Sequence, residues 1–296
     1  MKRRSALICS CAVLGILLLV CAARAQEDSA VFKINVRLVE VYATVLDHKG
    51  HYVDGLGRDS FKVLEDGRPQ SIHTFNGNSD GISCAILLDT TGSMKEALPR
   101  VKNSVVKLID ELGERDSVAI FTFDQRLVMR QDFTNDRDAA KRAVLRTRAQ
   151  GGTALFDALS EVAEELSKRP GKKALIVFTD GDDNSSVLNA NSAVTHAKKL
   201  GIPLFSIAEG EAMHSAQLKK LLGGLSQNTG GMSYHIKKPD DIANAFREIA
   251  GTLSHLYLIS YKPASNPADG RWRKINLEVE GLQDYKIRAK EGYFPD

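Results

Sequence analysis

The sequence predicts an α/β protein: a doubly wound, mostly parallel sheet inserted into, or flanked by, a small β-sandwich. Three observations lead to this. Between 82 and about 255, short unbroken apolar runs alternate with amphipathic stretches, the pattern of a parallel sheet covered by helices on both faces. Before and after that region, apolar residues recur with the period of two that marks β-strands, broken by turn clusters. Neither flank is long enough to bury a comfortable core alone, so the two are expected to pack together.

Residues 1–25 stand apart from this scheme. "MKRR" is a basic start, "ALICSCAVLGILLLVCAA" an apolar run and "ARA" a small-x-small cleavage signal, so the segment reads as a signal peptide removed after Ala25. Its retention as an N-terminal anchor is the alternative. Removal takes Lys2, Arg3, Arg4 and Arg24 and no acidic residue, so the formal charge falls from +3 to −1. The basic balance therefore belongs to the leader, and no basic run downstream offers a nucleic-acid surface. Cys9, Cys11 and Cys21 leave too, and Cys84 alone remains, which forbids an intrachain disulfide. Export without disulfides suits a bacterial envelope, with the periplasm or the cell surface as destination. Cys84, in "SCAILL", reads as a small buried residue.

The N-terminal β segment spans 31–76. "VFKINVRLVEVYATVLD" alternates, but its apolar phase passes from Phe32, Ile34, Val36 and Leu38 to Val39, Val41, Ala43 and Val45, which predicts a bulge or a change of sheet near Leu38–Val39. "FKVLEDGRPQSIHTF" predicts a hairpin around Asp66–Gly67, and "NGNSDG" a linker. The central domain spans 82–255. Its strands are read in "CAILLD", "VAIFTF", "ALIVFTD" and "IPLFSIA", with "RLVMRQDF" as an added antiparallel edge. Leu98, Val101, Val105, Leu108 and Leu112 repeat at helical spacing, as do Leu155, Leu159, Val162 and Leu166. After a helix over about 239–255, the C-terminal segment 256–295 offers strands in "YLISYKP", "RWRKINLEVE" and "YKIRAKEGYF".

The site of an open parallel sheet lies beyond the carboxyl ends of its strands. There the sequence places Asp89, Thr91 and Ser93 in "DTTGSM", Thr153 in "GGTALFDAL" and Asp180 in "FTDGDDNSS". Two carboxylates and three hydroxyls form an oxygen-only set suited to a hard cation, Mg²⁺ first, with Mn²⁺ or Ca²⁺ as alternatives. Zinc is disfavoured, because the seven histidines are scattered. Each cluster also has a structural reading. Ser93 with Glu96 makes a capping box for a helix starting at Met94, Thr153 an N-cap for a helix 154–168, and Asp180–Gly181 a turn. Their joint occurrence at strand ends favours the site, since no cap requires Asp89 or a second hydroxyl at Thr91.

"LLDTTGSM", "GGTALFDAL" and "IVFTDGDD" resemble the three loops of a von Willebrand factor type A domain with its metal-ion-dependent adhesion site. Thr91 departs from the usual Asp-x-Ser-x-Ser pattern by one methyl group. The flanks, through "VYATVLDHKGHYVDGL", "FKVLEDGRPQSIHTF", "YLISYKP" and "AKEGYF", resemble a bacterial group of exported VWFA-related proteins, so the resemblance covers about 32–295. It implies a non-enzymatic binding or adhesion protein, in which Asp89, Thr91, Ser93, Thr153 and Asp180 hold a divalent cation whose shell a partner's Asp or Glu completes. Asp182 and Asp183 are candidates for outer contacts or solvated loop residues. Two other readings stand beside this: a structural envelope protein with a stabilising metal, and a phosphoaspartate phosphatase using Asp89 and Lys173. The second lacks an acid two residues after Asp89, where Thr91 stands. Neither GxGxxG, GxxxxGK[ST] nor GxSxG occurs.

Overall fold

The computed structural model describes residues 38–180, 183–209, 215–238, 241–263 and 269–295. The leader and residues 31–37 lie outside them, and with them the first half of the predicted phase change. Among the described residues no helix is long and apolar enough to cross a membrane.

The chain opens with β1 (Val39–Leu46), β2 (Phe61–Glu65), β3 (Arg68–Gln70) and β4 (Ile72–Asn76). β2 and β3 form the predicted hairpin, turning through Asp66 and Gly67, both at positive φ as a tight two-residue turn requires. β4 then leaves for the other sheet. The central region follows in strand–helix order: β5 (Ile82–Asp89), α1 (Leu98–Glu111), β6 (Ser117–Phe123), β7 (Leu127–Thr134), α2 (Arg137–Leu145), α3 (Leu155–Ser167), β8 (Lys172–Thr179), α4 (Ala190–Leu200), β9 (Leu204–Ala208), α5 (Ala216–Thr229), β10 (Ser233–His235) and α6 (Asp241–Ser254). The chain closes with β11 (Tyr257–Tyr261), β12 (Arg273–Val279), β13 (Lys286–Ala289) and β14 (Gly292–Tyr293).

The central strands build one six-stranded sheet in the order β10-β9-β8-β5-β6-β7, parallel except for β7 at one edge. Its middle strands are apolar on both faces because both faces are covered. Ile86, Leu88, Ile176 and Phe178 pack with α1 and α6, while Leu87, Phe121, Val177 and α3's Leu155, Leu159, Val162 and Leu166 fill the opposite side. Burying each such side chain contributes about 1.5–3 kcal/mol.

The flanking strands form two four-stranded sheets, β13-β1-β11-β4 and β14-β12-β2-β3, each mixing N- and C-terminal strands. Val41, Ala43, Val63, Ile259, Tyr261, Ile275 and Leu277 share one core between them. β1 is buried on both faces, because Tyr42 turns away from that core into the cluster beneath α1 and α6. Lys172, 1 % exposed, ties the junction: its ammonium donates to the carbonyls of Asn78 (3.0 Å) and Leu256 (3.1 Å).

Candidate functional site

β5 ends in Asp89, which is fully buried. Strand alternation sends Leu87 and Asp89 towards the α3 face and Leu88 towards α1. The carboxylate of Asp89 accepts hydrogen bonds at both oxygens, Oδ1 from the Thr91 N–H (2.9 Å) and Oδ2 from Thr179 Oγ1 (2.7 Å). Asp180 follows β8 on the other face and accepts from Ser93 Oγ at 2.8 Å. Ser93 Oγ lies 3.0 Å from Thr91 Oγ1, so an unbroken relay of oxygens runs from the first loop to the end of β8.

Backbone hydrogen bonds join the three loops. Thr90 donates through both N–H and Oγ1 to Phe123 O at the end of β6 (2.8 and 3.0 Å). The Gln150 N–H donates to Thr90 O (2.6 Å) and the Gly92 N–H to Gly151 O (3.2 Å), tying the first loop to the second. Thr153 is buried before α3; its N–H donates to Asn184 Oδ1 and its carbonyl accepts from the Asn184 and Ser185 N–H groups, all at 3.0 Å, tying the second loop to the third. Gly151 sits at φ +81°, where a Cβ would meet Asp124, and a Cβ on Gly152 would run into Ser185 Oγ. Both glycines are what allow these loops to close up.

The capping readings of these residues do not hold. α1 begins at Leu98, with Pro99 in its first turn, and Gly92–Lys95 is a separate 3₁₀ turn without a side-chain cap. Proline is tolerated only where the helical N–H has no partner, so the helix starts later than Met94. Ser93 is thereby free to reach Asp180. Thr153 does not cap α3 either: Ala154 holds the N-cap position, without a side-chain bond. That work falls to Asp183, whose Oδ2 accepts from the Phe156 N–H (2.9 Å) and from Ser186 Oγ (2.5 Å). Gly181 and Asp182 lie outside the described residues.

Burial raises the pKa of Asp89, against the pull of its bonds from Thr91 and Thr179. Burial likewise pushes Asp180 up to about 6, with the negative charges of Asp89 and Glu209 adding to it and Ser93 opposing. Among the described residues no Lys or Arg forms an ion pair with either carboxylate; Arg100 on this side pairs with Glu209 instead. Nor do three His, Cys, Asp or Glu side chains cluster as a metal-binding group among them; the remaining donors here are hydroxyls. The donor set fits a hard divalent cation, because it gathers oxygens around two buried carboxylates without a described ion pair.

Several contributors escaped the sequence reading. Thr179 was hidden as the last residue of an apolar run, although alternation puts it on Asp89's face. Asp157 accepts from the Val187 and Leu188 N–H groups (2.8 and 2.9 Å), which fixes a third loop that presents Val187 almost wholly to solvent. Glu209, after β9, pairs with Arg100 at 3.3 Å. Lys173 lies at the start of β8, bonded to Glu40 and to the carbonyls of Arg169 and Gly171. It is therefore at the opposite end of the strand from Asp180.

A parallel sheet sandwiched by helices, with hydroxyls and carboxylates at its strand ends, defines a class of α/β domain. The model of the von Willebrand factor type A domain matches residues 84–248, and the chain belongs to that family. It is 26% identical over 186 residues to the uncharacterized protein sll0103 of Synechocystis sp., covering 60% of this chain and 43% of that one. The chain spans less than half the length of the curated relatives it matches. Among solved structures it is similar to a von Willebrand factor type A protein from Catenulispora acidiphila (TM-score 0.53, 15% identity, 89% of this chain and 75% of that one). It is also similar to proximal thread matrix protein 1 of the mussel byssus (TM-score 0.52, 16% identity, 68% and 51%). At these identities the likeness shows the fold.

Proposed function

We propose that this chain is an exported, non-enzymatic binding protein that captures an acidic side chain of a protein partner through a divalent cation, Mg²⁺ first, with Mn²⁺ or Ca²⁺ as alternatives. Asp89, Thr91, Ser93, Thr153 and Asp180 would hold the ion, as in a metal-ion-dependent adhesion site. The observation that carries this reading is the pair of buried carboxylates at adjacent strand ends, bridged by hydroxyls and ion-paired with no described cationic side chain. When bound, the ion supplies a positive charge that this largely neutral donor set offsets only in part, leaving attraction for an incoming carboxylate. The chain's own residues do the rest. Thr179 and the Thr91 N–H fix Asp89, Ser93 fixes Asp180, and the Asn184 contacts hold the Thr153 backbone in place. Membership of the family supports a binding role, and the sequence features of the leader support export to the periplasm or cell surface.

Lys173's place at the far end of β8 weighs against the phosphatase alternative, which needs a cation near Asp89. A Mn²⁺ titration of the purified chain, followed by electron paramagnetic resonance, tests the site: one ion per chain is expected, lost in Asp180→Ala. Capture of a partner from envelope extract should then require Mg²⁺ and fail in EDTA. Absence of ion binding, or capture indifferent to EDTA, overturns the proposal. Metal-dependent stability with chelator-independent capture points to the structural role instead.

A further inference from the structure

Among the described residues, Glu209 carries a buried carboxylate oxygen without a hydrogen-bond partner. β9 ends at Ala208, the register partner of Thr179, and the Glu209 N–H donates to Thr179 O at 3.1 Å. Pairing thus continues one residue past both strands and sets Glu209 beside Asp180. Phe178 and Ile207 lie in the cluster beneath α1; two residues on, alternation sends Asp180 and Glu209 to that same side. Arg100 reaches across from the first turns of α1, holding Glu96 O at 3.2 Å and Glu209 Oε1 at 3.3 Å. The other oxygen, Oε2, is buried and accepts no hydrogen bond; among the described residues only Ser160 Oγ shares that condition.

A carboxylate oxygen stripped of water and left unpaired is costly, and native folds keep one where water, an ion or a function accounts for it. Ion pairing with Arg100 does not account for it. Arg100 is 42% exposed, a setting in which such a pair adds little stability and has no need of a dry second oxygen. The neighbour on this face is Asp180, the cation donor proposed above. A small hard cation holds on to several of its waters, and those waters need acceptors just outside the ligand set.

We propose that Glu209 is a positioning residue of the cation site, its free Oε2 accepting a hydrogen bond from a water of the ion's shell while Arg100 orients it through Oε1. This rests on the cation reading of Asp89 and Asp180. It extends the site to a third strand end and to a residue outside the five-donor motif.

The test compares wild type, Glu209→Gln, Arg100→Met and Asp180→Ala by Mn²⁺ affinity, read by electron paramagnetic resonance, and by melting temperature in EDTA. Glu209→Gln keeps an oxygen for Arg100 and replaces the orphaned one by a neutral amide. It is expected to weaken Mn²⁺ binding about tenfold or more, the usual result of removing an outer-shell acceptor, without lowering the melting temperature in EDTA. Arg100→Met, which leaves Glu209 in place but unoriented, is expected to weaken binding less. A purely structural ion pair predicts the reverse: both variants melt earlier in EDTA, and both bind Mn²⁺ as wild type does. That result overturns the role of Glu209 while the cation site stands. If wild type binds no Mn²⁺, the cation site itself falls.

Discussion

Ser93 Oγ donates to Asp180 Oδ1 at 2.8 Å across 87 positions of sequence, closing the first loop of the sheet onto the third. One hydroxyl thereby holds a buried carboxylate that lies near a second, Asp89, without a described ion-pair partner. Without an ion, that arrangement works against the fold: two desolvated acids repel, and only hydroxyls and amides answer them. Asp180→Asn is therefore expected to raise the melting temperature in EDTA by a few degrees, about 1 kcal/mol in a chain of this size. The same variant should lose the stabilisation that saturating Mg²⁺ gives wild type, which reaches about 2.7 kcal/mol at a hundred times the dissociation constant. Differential scanning fluorimetry with and without Mg²⁺ reads both. A lower melting temperature in EDTA means that Asp180 is stabilising in its own right.

Asp183 ties the third loop to the start of α3 through the Phe156 N–H, and its neighbour Asn184 holds the Thr153 backbone. Losing an N-terminal cap costs about 0.5–2 kcal/mol. Asp183→Ala is accordingly expected to lower the melting temperature in EDTA by a few degrees. It should also weaken Mn²⁺ binding, since Thr153 stands on the backbone that the cap braces. Asp183→Asn keeps an acceptor and should recover most of both losses. Mn²⁺ affinity unchanged in Asp183→Ala would detach Thr153 from the site.

The fold was legible because its pattern is periodic. Leu98, Val101, Val105 and Leu108 all lie on the buried stripe of α1, and the four apolar runs became β5, β6, β8 and β9. The edge strand at 127–134 and the Asp66–Gly67 turn carried equally local signals. β10 did not: Ser233–His235 is a three-residue strand with no alternation to read, set only by pairing with β9. At the site, the donors announced themselves by type and place, but their partners did not. Thr179, Asn184 and Glu209 matter through contacts with residues 90, 31 and 109 positions away. The competing reading of Ser93 as a cap fails because Pro99 delays the helix, an effect decided five residues downstream of the apparent start.

Five tyrosines set the alkaline limit of stability. Burial raises the phenols of Tyr42, Tyr234, Tyr257, Tyr261 and Tyr293 above their ordinary 10.0, and the charge of Glu65 adds to this for Tyr261 and Tyr293. Each keeps its proton in the fold after the unfolded chain has released it. Their stabilisation is complete below pH 10 and is lost as pH rises through and beyond that value. Lys172 works the other way: burial lowers its pKa from 10.5, so the cost of charging it fades as pH climbs towards 10.5. Burial lowers Lys102 as well, but five tyrosines outweigh two lysines, and the melting temperature should fall as pH rises above about 10. Tyr261→Phe with Tyr293→Phe strips buried Glu65 of both donors (2.7 and 2.9 Å). The pair is expected to melt earlier at pH 7 yet show a shallower alkaline fall. An alkaline limb as steep as wild type's would place its cause elsewhere.

Each flanking sheet needs strands from both ends of the chain. β1 pairs with β11 and β13, and β2 with β12, so removal of residues 256–296 takes apart both flanking sheets and leaves only the β2–β3 hairpin of them. Such a truncation would bare Val41, Ala43, Val45 and Val63, now wholly or almost wholly buried, and leave β1 with two unpaired edges. Exposed apolar edges of this kind are templates for aggregation. The truncated chain is expected to be insoluble, whereas a chain cut to 82–255, lacking both flanks, should fare better because nothing is left half-built. It should still be weakened, because Tyr42, Leu256 and Leu258 complete the cluster beneath α6. A subtler variant tests the same dependence without truncation. Ile259 is fully buried on β11, opposite Val41. Ile259→Ala is expected to cost about 2–5 kcal/mol by the cavity it leaves. If sandwich and central sheet fold as one unit, a single transition should move in denaturant. Two separated transitions, with only one shifted, would show instead that the central sheet holds its structure without the sandwich.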